Sequence, residues 1–158
     1  MDVLREAFES LGFSRVETFL GSGNVIFETT AQDVRALENK IERRLWQILG
    51  REAPAFIRTL SELQAITALK PFDDSQIHGA SVNVILLGKT LDERSKAKLM
   101  ALTTETDGFR AHGREIYWWR RKKPGTSLFS TVPLAKVLLD PFTVRSTNTI
   151  GRLVAKWQ

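Results

Sequence analysis

The strand Glu115–Arg120 carries Tyr117, Trp118 and Trp119 and runs straight into the basic stretch Arg120-Arg121-Lys122-Lys123. Aromatic rings beside cations are the residue types that stack and neutralise nucleic acid. Strand alternation puts Ile116 and Trp118 on one face, Tyr117 and Trp119 on the other. If that second face is open, Tyr117, Trp119 and Arg120–Lys123 form a contact surface for nucleic acid or another anion, with Arg110, Arg114 and Lys136 available to extend it. If the face is covered, the same rings are packing residues, which is the more common fate of paired tryptophans. A bare charge run is more often a solvated loop than a site.

Two further polar segments could hold a small anion. Gly21-Ser22-Gly23-Asn24 has the glycines of a phosphate loop, but such loops lead into a helix N-terminus, and this one leads into an apolar, strand-like run. A hairpin turn is therefore the favoured reading, with Ser22 and Asn24 as candidate ligand residues. Thr143–Thr149 precedes a helical pattern, so Ser146 or Thr147 is a sound N-cap, while Arg145 and Asn148 are candidate ligand contacts at the positive helix end. Recognisable catalytic constellations are lacking. His78 and His112 are isolated, no metal-ligand spacing is present, no cysteine exists, and the serines have no Gly-x-Ser-x-Gly context. No cofactor is implied.

The elements that would position these residues follow from periodicity. Leu4, Ala7, Phe8 and Leu11 have helical spacing, and Val34, Leu37, Ile41, Leu45 and Ile48 make 32–49 an amphipathic helix closed by Gly50. Strands are expected at 16–20, 25–29 and 54–59. Thr59 with Glu62 and Thr90 with Glu93 have capping-box spacing, placing helix starts near 60 and 91. Val82–Leu87 reads as a strand covered on both faces. A hairpin of 106–112 and 115–120 turns at Gly113, a helix spans about 128–138, an extended piece covers 142–145, and a last helix places Ile150, Leu153, Val154 and Trp157 on one side.

In order, the second half is β-α-β-β-α-β-α, and the first is α-β-β-α-β-α, the same series without its opening strand. The expected fold class is α+β, a tandem duplication of ferredoxin-like (α/β plait) repeats. The first repeat, residues 1–70, would be incomplete, residues 71–80 a connector, and 81–158 the second repeat with a C-terminal helix.

Charge divides along the chain. Residues 1–93 hold 10 Lys+Arg against 14 Asp+Glu, and residues 94–158 hold 13 against 4. A basic half suits an anionic partner, the acidic half of the same molecule, or another copy. The apolar share of 42% provides a core. No apolar run approaches a membrane span, the N-terminus is unlike a signal peptide, and the absence of cysteine is compatible with a cytoplasmic location.

The segments LREAFESLGFSRVETFLGSGNVIFET and PFTVRSTNTIGRL resemble the bacterial family catalogued as domain of unknown function 1697, most specifically at Gly12-Phe13, Ser22-Gly23-Asn24-Val25, Thr143-x-Arg145 and Asn148-Thr149. The resemblance implies two ferredoxin-like repeats and no established catalytic residue. The chain departs from the family in two ways. Members usually open with one more strand and a Gly-rich turn, and they carry Arg-Asn-aromatic-Asn-Thr where this chain has Arg145-Ser146-Thr147-Asn148-Thr149.

The opening strand would be central to its sheet. Each of its core side chains is worth ~1.5–3 kcal/mol, against a whole-domain stability of ~5–15 kcal/mol. The expectation is that residues belong ahead of Met1, or that the sheet closes up or borrows a strand from another copy. The reading favoured is a non-enzymatic binding or assembly module that self-associates as a dimer. A nucleic-acid or nucleotide-binding protein is the first alternative. An enzyme acting on a small anionic substrate between the repeats is the second.

Overall fold

A computed structural model describes residues 2–19, 23–121 and 132–158. The fold is α+β with two antiparallel sheets. Contacts divide the chain into two compact units, Met1–Ile57 and Arg58–Gln158.

The first unit comprises helix α1 (Asp2–Ser10), strands β1 (Ser14–Phe19) and β2 (Asn24–Glu28), and helix α2 (Val34–Leu49). The strands pair antiparallel, with Glu17 opposite Ile26 and Phe19 opposite Asn24. Asp33 caps α2 by accepting from the Ala36 N–H at 3.0 Å, and Gly50 ends it at φ 68°, a left-handed conformation that glycine takes without steric penalty. Ala7, Phe8, Phe13, Val16, Leu37, Ile41 and Leu45 form the core, with Phe13 and Phe27 stacked at 4.5 Å.

The strand expected at 54–59 is not formed among the described residues. Ala53, Ala55 and Ile57 still show a strand's alternation, since all three pack on the core cluster. Carboxylates from α2 stand where a ladder partner would. Glu42 accepts from the Ala55 N–H at 3.0 Å, and Glu38, only 1% exposed, accepts from the Ile57 N–H at 2.9 Å.

The second unit begins with α3 (Leu60–Ala68) and α4 (Asp74–Ile77). The Thr59–Glu62 capping box expected from the sequence opens α3, with both reciprocal bonds present. There follow β3 (Ala80–Leu87), α5 (Glu93–Met100), β4 (Asp107–His112), β5 (Glu115–Arg121), α6 (Val132–Val137), β6 (Phe142–Ser146) and α7 (Thr147–Trp157). The cap of α5 is Asp92, accepting from the Ser95 N–H at 2.7 Å, rather than Thr90. Gly113 turns the β4–β5 hairpin at φ 59°. The helix expected at 128–138 is described only from Val132, because 122–131 lie outside the described residues.

The four-stranded sheet runs β4-β5-β3-β6, antiparallel throughout. One face carries Ile85, Leu87, Phe109, Ile116 and Trp118, packed with Leu99 of α5 and Leu134 of α6. The other carries Val84, Tyr117 and Trp119, where α7 meets β3 and packs on α3. Helices therefore cover both faces. Helix α3, read from the sequence as part of the first repeat, makes its contacts within the second unit. No helix among the described residues is long and apolar enough to cross a membrane.

Candidate functional site

Tyr117 is 2% exposed and Trp119 8%. The Tyr117 hydroxyl donates to the Ile66 carbonyl of α3 at 3.4 Å. No open stacking platform is formed: α3 and α7 occupy the face on which bases would lie, and the rings serve as packing, the more common of the two outcomes that the sequence left open. Burial, reinforced by the Glu115 charge, pushes the Tyr117 hydroxyl up to about 12 from an ordinary 10.0. The folded state favours the neutral phenol, so this contribution to stability is complete below pH ~10 and lost as pH climbs to about 12. Tyr117 is the sole tyrosine in the chain, which gives a clean spectrophotometric titration. The native protein should ionise near pH 12 and the urea-unfolded chain near 10. A native midpoint near 10 with the fold intact would contradict the burial.

Trp118, on the opposite face, donates from its indole N–H to buried Asp107 at 2.8 Å and stacks on Phe109. Trp119 lies flat over Gly108 of the neighbouring strand. A Cβ there would sit within 2.7 Å of Cζ2, and closer still to other indole atoms.

The basic run is only partly available for binding. Arg121 stacks on Trp119 at 4.7 Å and donates to the carbonyls of His78, Ser75 and Gln76, closing the C-terminal end of α4. Its cation answers the negative end of that short helix. Arg120 is half-buried and already engaged. Lys122 and Lys123 lie outside the described residues, as does Ser22. Arg110 donates to the Pro71 carbonyl at 2.7 Å, tying β4 to the segment before α4.

The proposed small-ligand residues fall in different units. Asn24 opens β2 in the first unit, and its amide donates to the Phe19 carbonyl at 3.2 Å, closing the hairpin. Arg145 and Asn148 belong to the second unit, on β6 and in the first turn of α7. The Arg145 guanidinium donates to the Thr143 hydroxyl at 2.7 Å and to the Val144 carbonyl at 2.8 Å, and burial lowers its pKa. Asn148 is exposed. Ser146 is the cap of α7, accepting from the Thr149 N–H at 3.1 Å, and the Thr147 hydroxyl donates to the Val82 carbonyl. The polar run therefore has structural employment at Thr143, Arg145, Ser146 and Thr147.

A charged cluster escaped the sequence reading. The Arg58 guanidinium, 2% exposed, donates to Glu115 at 2.9 Å and to the carbonyls of Leu87 and Arg114 at 2.8 and 2.9 Å. Arg114 pairs with Glu62 at 2.7 Å. Desolvation, then the neighbouring Arg114 charge, lowers the Arg58 pKa against the opposing pull of Glu115. For Glu62, burial works upward, but the Thr59 N–H and Arg114 outweigh it and hold the carboxyl below its ordinary value. The cluster pins the start of α3 to the end of β3 and the β4–β5 turn. No buried side-chain nitrogen or oxygen lacks a hydrogen-bond partner among the described residues, and the cluster's bonds fix position. No trio of His, Cys, Asp or Glu placed to hold a metal occurs among the described residues.

Comparison with solved structures finds "conserved bacterial protein SP0830" from Streptococcus pneumoniae, at 19% identity and a TM-score of 0.72, covering 100% of this chain and 88% of that one. At that identity the likeness speaks for fold alone. No curated protein matches the chain. The family model described as "Protein of unknown function (DUF1697)" matches residues 1–117, about three-quarters of the sequence, and the chain therefore belongs to that family.

Proposed function

We propose that this protein is a binding or assembly module that works by adding a strand to its first unit. The observation that carries this reading is the incomplete sheet there. Strand β2 has β1 as its one strand partner among the described residues, while the alternating segment 53–57 packs on the same core without joining a ladder. Open strand edges are templates for pairing with another chain.

The proposal includes a finer statement of fold: the units are two copies of a ferredoxin-like plait, the first lacking its opening strand. The β-α-β-β-α-β series and the β4-β5-β3-β6 order of the second unit support it. So does the α-β-β-α-extended series of the first. By analogy with β3, which pairs antiparallel with β5, the strand that completes the first unit is one paired with the open edge of β2. A second copy is the proposed donor.

Light scattering over a wide concentration range tests this. Mass should rise toward twice the chain mass, and Ile26→Pro in β2 should abolish the rise. A strictly monomeric protein at every concentration would refute it.

A further inference from the structure

We infer that the outer edge of β4, beside α5, is a binding groove for an extended acidic peptide that adds to the sheet as a fifth, antiparallel strand. The groove uses residues of the second unit only and stands apart from strand addition at the first.

β4 is an edge strand. The Arg121 N–H donates to the Thr106 carbonyl at 2.7 Å, so residues 106 and 121 are a hydrogen-bonded pair. In an antiparallel ladder such pairs alternate. Residues 108, 110 and 112 therefore face β5, and 107, 109 and 111 turn their N–H and C=O groups outward. The edge is closed at its first position, where the Asp107 carbonyl accepts from the Thr104 N–H and the Asp107 N–H donates to the Thr104 hydroxyl. At Phe109 and Ala111 no such partner occurs among the described residues. Two successive outward rungs remain.

Beside those rungs lies an apolar groove of about 200 Å³ lined by Lys96, Leu99, Met100, Phe109, Arg110 and Ala111. Met100, 51% exposed, leaves the groove open to solvent. The floor suits the small apolar side chains on one face of an incoming strand. Charge selects the other face. Arg110 is exposed on the side of β4 opposite α5. It donates to the Pro71 carbonyl, which carries no full charge.

A second copy fits poorly. Two-fold pairing of β4 with itself through its outward rungs centres on residue 110 and sets Arg110 against Arg110, and like charges directly opposite destabilise a ladder. An acidic residue in that position makes the favourable cross-strand pair instead.

The test is anisotropy titration of the full chain with a labelled, acetylated peptide of alternating valine and glutamate. Saturable binding is expected. Ala111→Pro removes one outward N–H without touching the β5 ladder, a position where edge proline is tolerated. It should weaken binding about tenfold, as should N-methylating the peptide backbone. Arg110→Glu should shift preference to a valine–lysine peptide. Absence of saturation would overturn the proposal. So would binding indifferent to both Ala111→Pro and N-methylation, which would mean charge attraction alone. Peptide-free dimerisation abolished by Ala111→Pro would overturn it too, by making the edge a contact between copies.

Discussion

Glu115→Ala should destabilise the protein by ~3–5 kcal/mol, the usual consequence of leaving one member of a buried ion pair alone. Arg58 is 2% exposed and its partner Glu115 13%, so solvent cannot replace the lost carboxylate. The carbonyls of Leu87 and Arg114 would remain as acceptors, but neither carries a full charge, and the attraction of Glu62 is outweighed by the repulsion of Arg114. Urea denaturation gives the measurement directly. A control separates the pair from its surroundings: the double variant Arg58→Met, Glu115→Ala should lose less than Glu115→Ala alone, because an apolar side chain does not need a counter-charge. Equal losses in the two proteins would mean that the cluster is not the source of the effect.

Gly108→Ala is expected to cost ~3 kcal/mol, at the upper end of the usual overpacking penalty. The reason is rigid geometry. The added methyl would overlap the indole of Trp119, whose Nε1, Cε2 and Cζ2 are the nearest atoms. Trp119 has little room to retreat, since it is 8% exposed and in contact with the Arg121 guanidinium. Replacing the indole with a smaller apolar side chain, Trp119→Leu, should recover part of the loss in the Gly108→Ala background. Independent, additive costs for the two substitutions would contradict the contact.

Much of this fold was legible in the sequence, and the reasons are local. Helix α2 announced itself by Val34, Leu37, Ile41 and Leu45 at helical spacing with Gly50 behind them, and α3 by its capping box. The apolar run of β3 correctly implied a strand covered on both faces. Legibility failed where partners are distant. Nothing near Arg58 marks it as buried, because Glu115 lies 57 positions away. The strand expected at 54–59 had the right alternation, but a strand exists only with a neighbour, and in this structure α2 carboxylates take two of its N–H groups. Tyr117 and Trp119 left two outcomes open in the sequence, exposed platform or packed face. Helices α3 and α7 decide for packing, and α3 comes from a stretch that periodicity alone assigned to the other repeat.

The candidate residues divided along the same line. Ser146 was readable as a cap because capping needs a partner only three residues away. Arg121 looked like a solvated cation, yet it closes α4 more than forty positions upstream. The edge of β4 was invisible beforehand, because which strand lies outermost is a property of sheet order and not of any segment.

Amide hydrogen exchange at increasing protein concentration is the most direct test of strand addition at the first unit. The amides of Val25–Phe27 should gain protection as concentration rises, while those of β3 and β5 stay uniformly slow. Protection of β2 equal to that of β3 in dilute solution, unchanged by concentration, would contradict the account.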